Sequence, residues 1–207
     1  MKIQHVCIGQ AERLPGKNYK TGICKHAVEG ALILDAQGLA GDRVLNTKHH
    51  GGPDQAVLVE GSETLAWWAK TLGKPLAPGT FGENLVIEGL DTATLAVGDR
   101  FILPDVTLEV TAPRIPCATF SARMEDPGFV KQYFAAGRPG AYCRVLKPGI
   151  VTSGDAVDHQ PFQGDRVTVA EIMAIYRKPM AEPLRSRLLA LPLAQRYRVW
   201  VAGEGNA

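Results

Sequence analysis

The sequence predicts a mainly β fold: a β-barrel with a few packed helices and a short helical segment at the C-terminus. Apolar residues alternate with a period of two along most of the chain. The apolar runs are short, and Gly, Pro and Asp residues separate them at close spacing. Many short strands arranged in this way are typical of closed or nearly closed barrels rather than of βαβ units.

Nine strands are predicted, each from a short apolar or alternating run that ends at turn residues. In chain order they cover residues 3–8, 22–28, 31–34, 55–59, 85–88, 100–103, 106–111, 142–145 and 166–169.

Two helices are predicted to interrupt the strands. In residues 62–72, Leu65, Trp68 and Leu72 recur at three- and four-residue spacing, which gives one apolar face. Residues 126–135 show a similar stripe of aromatic and aliphatic side chains. We therefore expect both helices to pack against the sheet.

The C-terminal segment has a helical pattern. Thr168 and Glu171 have the spacing of a capping box, which predicts a helix over residues 169–177. Helical stretches follow at 182–191 and 193–201, separated by prolines. We predict a barrel domain over residues 1–165 and a small helical segment over 166–207, either an appendage or a cap on the barrel.

The composition is that of an ordinary globular protein of one main domain. The 207 residues are 45% hydrophobic and 21% charged, and the net charge of +2, without a basic run, argues against nucleic-acid binding. The four cysteines form no CxxC pair, which disfavours a zinc cluster or a dithiol centre. The N-terminus does not resemble a signal peptide and no run is long enough to cross a membrane, so we expect a cytoplasmic protein with reduced thiols.

Cys117 is the strongest candidate for a reactive residue. It ends the run Pro113-Arg114-Ile115-Pro116-Cys117, directly after a predicted strand. The two prolines make this corner stiff, and it holds the cation of Arg114 three residues before the thiol. A nearby cation favours the thiolate, the form that attacks electrophiles and binds soft metals. The alternative is a buried, inert cysteine.

Residues 48–55 form a loop rich in cations, glycines and amide or carboxyl groups. Glycines allow a close backbone approach, and exposed N–H groups beside a lysine can hold a phosphate. A plain hairpin turn would explain Gly51 to Asp54 but not the Lys-His-His run before them. The candidate binding residues are Lys48, His50, Gly51, Gly52, Asp54 and Gln55.

A second loop, residues 79–85, again places glycines beside a carboxylate and an amide. Gly82, Glu83 and Asn84 are the candidate ligand-contacting residues. Alternatively, Asn84 closes an Asx-turn and Glu83 pairs with a surface cation.

Together these motifs resemble the MOSC domain superfamily. Their order and spacing are similar to its YiiM-like branch, the 6-N-hydroxylaminopurine resistance proteins. The resemblance covers roughly residues 1–165, and the tail, although short, resembles the three-helix domain that follows in that branch. The motifs are Gly41-Asp42, KHHGGPDQAV from Lys48, FGENL from Phe81, Gly98-Asp99, PRIPC from Pro113 and GRPGAY from Gly137.

The resemblance implies a barrel that binds molybdenum cofactor, with Cys117 as the protein ligand to molybdenum. The anionic pterin phosphate would then be held by cations and free N–H groups, which Lys25, Lys48, His50, Arg114 and the Gly51-Gly52 turn can supply. The other cysteines, at positions 7, 24 and 143, lie in predicted strands and are expected to pack in the core.

Three function classes remain open. The first is a molybdenum enzyme that reduces N-hydroxylated compounds such as hydroxylamino purines, as the resemblance implies. No nicotinamide, flavin, haem or iron–sulfur motif is visible, so electrons would come from a separate reductase. The second is sulfur delivery from a persulfide on Cys117, although that role normally relies on a pyridoxal-phosphate desulfurase domain for which the chain has no room. The third is a non-catalytic cofactor carrier.

Overall fold

The computed structural model describes residues 1–47 and 50–204, which contain thirteen strands and six α-helices. The strands are β1 (Ile3–Gly9), β2 (Glu12–Arg13), β3 (Lys20–Thr21), β4 (Lys25–Val28), β5 (Leu32–Asp35), β6 (Gly38–Leu39), β7 (Val57–Gly61), β8 (Leu85–Ile87), β9 (Arg100–Ile102), β10 (Thr107–Pro113), β11 (Ala141–Lys147), β12 (Gly149–Val151) and β13 (Asp158–Gln160). The helices are α1 (Ser62–Leu72), α2 (Ala118–Met124), α3 (Phe129–Ala136), α4 (Val169–Ile175), α5 (Glu182–Leu189) and α6 (Gln195–Ala202).

Eight strands form the main sheet, in the order β13-β9-β10-β11-β7-β8-β1-β4. Every pairing in it is antiparallel except β7 with β8, which are parallel and joined through α1. A three-stranded sheet, β12-β5-β6, and the small hairpin of β2 and β3 complete the strand structure of the described ranges.

The predicted closed barrel is not confirmed. In the described part of the chain, the edge strands β13 and β4 have only three and four residues and do not pair with each other. An isolated bridge between Lys2 and Ala156, with a hydrogen bond from the Val157 N–H to the Met1 carbonyl (2.9 Å), connects the start of β1 to the chain before β13. The fold is thus a mixed, sheet-rich structure with six helices.

Most predicted elements are found, and the prediction for helix α1 agrees with the structure to the residue. The strand predicted at 166–169 is wrong. Its last two residues begin α4 instead, where the Thr168 hydroxyl accepts from the Glu171 N–H and the Glu171 carboxylate accepts from the Thr168 N–H. This predicted capping box holds the segment, so its only strand-like contact in the described residues is a bridge from Thr168 to Ala96.

Two apolar clusters form the core. The larger one joins the sheet to the C-terminal helices, since Phe101 and Val110 share it with Leu188, Tyr197 and Val201. The smaller one is aromatic, lies among α1, α2 and α3, and contains Trp68, Phe81, Phe120, Phe129 and Tyr133. The tail therefore packs on the sheet, while a domain boundary at residue 165 stays a prediction.

The cysteines behave as expected from the sequence. All four are free thiols, and Cys7, Cys24 and Cys143 are buried while Cys117 is partly exposed. Burial raises the pKa of Cys7 to about 12 and raises the pKa of Cys143 further. Those thiols are therefore inert core groups. No helix in the described ranges is long and apolar enough to cross a membrane.

Candidate functional site

Cys117 lies at the end of the stiff corner that follows β10. It is the N-cap residue of α2, with extended backbone (φ −135°, ψ 172°), so the chain turns from strand to helix at this thiol. Two cavities meet here, and four residues line both: His50, Gln55, Cys117 and Tyr142. The thiol therefore faces two separate binding volumes.

The first cavity, here called the cationic cleft, has a volume of about 140 Å³. It lies between the loop before β4, the loop after Gly41, and the segment from Gly82 to Asn84. The polar and charged residues that line it are Tyr19, Lys20, Thr21, Lys25, Arg43, Asn46, His50, Gln55, Asn84, Arg114, Cys117, Thr119 and Tyr142. Four of these are lysine or arginine residues, and none of the described lining residues is a carboxylate.

Arg114 is buried in the floor of the cationic cleft. Its guanidinium stacks 3.5 Å above the centre of the Phe120 ring, and Nε donates to the Phe81 carbonyl at 3.2 Å. Its Nη1 is buried and makes no hydrogen bond within the described residues. An unpaired buried donor on a cation is costly, which makes this atom a ready partner for an acceptor group.

Lys25 is held in the cleft by Asp42. The two side chains form a buried ion pair and are only 7% and 6% exposed. Asp42 also accepts from the Gly9 N–H at 2.7 Å and from Nδ2 of Asn84 at 3.0 Å. Burial lowers the pKa of Lys25, and the charge and hydrogen bond of Asp42 oppose that shift.

Asn84 joins three strands at the base of the cleft. Its Oδ1 accepts from the Leu58 N–H at 3.1 Å in β7, and its Nδ2 also donates to the Cys7 carbonyl at 3.3 Å in β1. The side chain is therefore a structural brace for the loop before β8 as well as part of the cleft lining. The Asx-turn alternative does not describe these long-range contacts.

Two carboxyl groups are buried behind Arg114. Glu83 accepts from the Gly79 and Phe81 N–H groups at 2.6 and 2.9 Å, yet burial raises its pKa to about 7. Glu60 is fully buried, and its pKa lies well above the usual range because of burial and the charge of Glu83. Burial therefore disfavours the charged form of both carboxyl groups that lie near Arg114.

The second cavity, here called the tyrosine chamber, has a volume of about 250 Å³. It lies between the Ile115–Cys117 corner and the C-terminal helices. Besides the four shared residues, its lining consists of Ile115, Pro116, Tyr176, Arg177, Arg196 and Tyr197. At the boundary of the two cavities, Nδ1 of His50 lies 3.1 Å from the Tyr142 hydroxyl.

The structure brings together most of the residues predicted from the sequence. Those that line the cationic cleft are Lys25, His50, Gly51, Gln55, Gly82, Asn84, Arg114 and Cys117. Gly52, Asp54 and Glu83 do not line it, and Lys48 lies outside the described residues.

Asp54 has a different structural position. Its carboxylate pairs with Arg144 at 2.9 Å and accepts from the Gln195 N–H at 2.8 Å, at the start of α6. It therefore attaches the C-terminal helix to the sheet.

Sequence reasoning missed several residues of the site. Asp42 looked like part of a turn, although a carboxylate that follows Gly41 in a predicted loop was a signal that could have been paired with Lys25. Tyr142 lies in a predicted strand, where an aromatic residue usually means packing. The chamber residues Tyr176, Arg177, Arg196 and Tyr197 belong to the helical tail, and nothing local in the sequence links them to Cys117.

No group of three or more His, Cys, Asp or Glu side chains in the described residues could hold a metal ion.

The sequence comparisons identify relatives of this chain. Residues 46–158 match the sequence model of the MOSC domain. YflK of Bacillus subtilis is 35% identical over 139 residues, which cover 67% of this chain and 63% of that protein. YiiM of Escherichia coli is 32% identical over 175 residues, covering 82% of this chain and 77% of that protein. A protein named "Reductase" from Gibberella moniliformis is 32% identical over 146 residues, covering 69% of this chain but 26% of that protein.

Solved structures show the same fold. The crystal structure of YiiM from Escherichia coli has a TM-score of 0.75 at 25% identity and covers 99% of this chain and 92% of that one. The crystal structure of YiiM from Geobacillus stearothermophilus has a TM-score of 0.79 at 22% identity, covering 97% and 98%. The family model spans more than half of the chain and the fold match spans nearly all of it: the chain belongs to the MOSC domain family and is a YiiM-like member of it.

Proposed function

We propose that this protein is a molybdenum-cofactor-dependent reductase of N-hydroxylated compounds. The observation that carries the proposal is the position of Cys117, a partly exposed thiol where a cationic cleft meets a second, aromatic cavity. One cavity can then hold a cofactor and the other a substrate on either side of a soft metal ligand.

The residues present fit a molybdenum–pterin group. A soft thiolate suits molybdenum bound to a dithiolene, and Cys117 supplies it. The pterin phosphate is anionic, and the unpaired Nη1 of Arg114 provides positive charge that such a group needs, as do Lys20 and Arg43 in the same lining. Lys25 also lines the cleft, with its charge offset by Asp42. His50, Gly51, Gln55, Gly82 and Asn84 line the same cleft and would contact the remaining polar atoms of the cofactor.

When bound, the molybdenum centre supplies the two-electron chemistry that removes oxygen. The overall reaction is R–NHOH plus two electrons and two protons, giving R–NH₂ and water. The chain's own residues bind and orient the reactants: Arg114 is fixed by its stack on Phe120, and Lys25 is fixed by Asp42. Both cations are thus already in place before the cofactor binds, which lowers the entropic cost of binding.

The electrons require a partner protein in this proposal, since the sequence shows no nicotinamide, flavin, haem or iron–sulfur motif. The fungal relative named "Reductase" supports reductive chemistry, and the matched region forms only 26% of that longer protein. We expect a separate flavoprotein reductase to supply the electrons here, in the cytoplasm.

The first experiment measures metal and pterin after expression in a host that makes the cofactor. Cys117→Ser should lose bound molybdenum or all turnover, because a hydroxyl is a harder and less acidic ligand than a thiol. Cys24→Ala is the matched control, since Cys24 is buried and lies outside both cavities. Full molybdenum content and full turnover in Cys117→Ser would contradict the assignment.

The second experiment tests the electron supply with hydroxylaminopurine as substrate. NADPH alone should give no product, while a low-potential dye or an added flavoprotein reductase should give turnover that disappears in Cys117→Ser. Turnover driven by NADPH alone would remove the need for a partner. Full molybdenum occupancy without turnover from any donor would point to a cofactor carrier instead.

A further inference from the structure

The tyrosine chamber has the features of a substrate site, and its chemistry narrows the substrate class. We propose that it binds a flat, N-hydroxylated ring that also carries an anionic group, with the ring against the tyrosines and the anion at Arg177. The inference rests on the proposed function, because it assumes that a reacting molecule must approach Cys117 from this side.

The chamber is lined by aromatic side chains suited to a flat ring. Tyr142, Tyr176 and Tyr197 all face it, and the Tyr176 and Tyr197 rings have centroids 5.8 Å apart at an angle of 44°. Trp200 supports both rings from α6, at 5.2 and 6.2 Å. Rings held in this way by their neighbours offer fixed surfaces for stacking or edge contacts.

The charge of the chamber selects for an anion. Arg177 and Arg196 line it, and none of the described lining residues is an aspartate or glutamate. Arg177 is exposed and lies with its guanidinium 5.5 Å from the centre of the Tyr176 ring. A ligand that stacks near Tyr176 would therefore place a carboxylate or phosphate within reach of this cation.

The wall of the chamber is fixed to the corner that carries Cys117. The Tyr197 hydroxyl donates to the Pro113 carbonyl at 2.8 Å, and the Ala194 N–H donates to the Thr111 carbonyl at 3.1 Å. Both acceptors belong to β10, four and six residues before the thiol. The spacing between the tyrosines and Cys117 is therefore set by the fold and not by a loose loop.

Arg177 has a backbone conformation that is unusual for its type. Its φ is +60°, in the left-handed region that favours glycine, and it follows Tyr176, the C-cap residue of α4. Glycine is the residue that most often ends a helix at this position. Glycine at this position would suit the backbone, so the side chain can be removed without straining the fold.

The test compares two N-hydroxylated probes of similar size and shape that differ in charge: the 4-carboxamide and the 4-carboxylate of benzamidoxime. Binding to the full-length protein, purified from a host that makes the cofactor and used with whatever molybdenum it contains, is measured by calorimetry and by the fluorescence of the tyrosine and tryptophan residues. The wild-type protein should bind the carboxylate about tenfold more tightly, the size of one charge-assisted hydrogen bond. Arg177→Gly should bring that ratio close to one, and Arg177→Lys should restore part of it.

Lys178→Ala is the matched control, because Lys178 is the adjacent exposed cation and does not line the chamber. It should keep the tenfold ratio. Equal affinities of the two probes for the wild-type protein, or an unchanged ratio in Arg177→Gly, would overturn the inference.

The outcome is separable from that of the proposed function. If molybdenum is absent but the carboxylate preference depends on Arg177, the assignment of the chamber as an anion-binding site is supported and the proposed reaction is refuted. If molybdenum and turnover are present while the ratio does not respond to Arg177, the reaction stands and the chamber assignment fails.

Discussion

Replacing Asp42 by Asn should destabilise the protein by about 3–5 kcal/mol, the usual cost of removing one partner from a buried ion pair. The ammonium of Lys25 would remain buried, at 7% exposure, without its counter-charge. The new amide would also turn its NH₂ group either toward Lys25 and Asn84, which both donate to Oδ2, or toward the Gly9 N–H, which donates to Oδ1, so donor would face donor in either orientation. The same carboxylate accepts from Gly9, so the loss extends to the end of β1.

Urea unfolding measures this loss directly. With a slope of about 2 kcal/mol per molar, the midpoint should fall by about 2 M. Glu88→Gln is the control, because Glu88 forms an exposed pair with Lys2 at 3.2 Å, which is worth at most about 1 kcal/mol.

Two further measurements test whether the loss of stability comes from the unpaired, buried charge of Lys25. Lys25→Met combined with Asp42→Asn should recover much of the stability, since no unpaired charge remains buried. Burial lowers the pKa of Lys25 and Asp42 opposes that shift, so in Asp42→Asn the unfolded state binds more protons and stability should rise as the pH increases toward the usual pKa of a lysine. A loss below about 1 kcal/mol in the single variant, or a double variant as unstable as the single one, would refute the reasoning.

Two other perturbations address the loop of residues 79–85. The pKa of Glu83 rises from 4.5 to about 7 on folding, so the folded state binds more protons between these values, and stability should fall by roughly 3 kcal/mol from pH 4.5 to 7. Glu83→Gln should flatten that part of the pH profile measured by chemical unfolding, and an equally steep profile in the variant would show that another group titrates. Gly79→Ala should cost about 3 kcal/mol or more, because its φ is +85° and a Cβ would lie 2.2 Å from the Lys25 carbonyl oxygen. Gly73→Ala, with φ +64° and nothing within 4 Å, should cost about 1 kcal/mol, and similar losses in the two variants would rule out the backbone clash as the cause.

The local features of the site, which depend on residues close together in the chain, could be predicted from the sequence. The prolines around Arg114 predicted a corner that presents Cys117, and the structure has that corner between β10 and α2. The apolar spacing of Leu65 and Trp68 predicted α1 correctly, because an apolar repeat of three and four residues over this length fits a helix and does not fit the two-residue repeat of a strand.

Helix α2 was not predicted, for a physical reason. It has only seven residues, its N-cap is Cys117 without a side-chain cap, and a proline comes just before it. Its stability comes from burying Phe120 against Phe81 and under Arg114, contacts that exist only after folding.

The interpretation of Glu83 shows the same limit for the site. A carboxylate beside glycines fits both a ligand-binding loop and a braced turn, and the two differ only in where the side chain points. The structure turns it toward the Gly79 and Phe81 N–H groups.

Tyr197 is 80 residues from Cys117 in the chain, and its approach to the site depends on the packing of the entire tail.

The strand order of the main sheet limits how the chain can be divided. Strand β1 lies between β8 and β4, yet its residues, Ile3–Gly9, precede the region 46–158 that matches the MOSC domain model. On the other side, Tyr197 and Val201 complete the apolar core under β10. A fragment trimmed to residues 46–158 would lose an interior strand and one wall of its core together. The unit that is expected to unfold cooperatively is therefore larger than the region that matches the family model, and binding experiments require the N-terminal strand and the C-terminal helices in the same polypeptide.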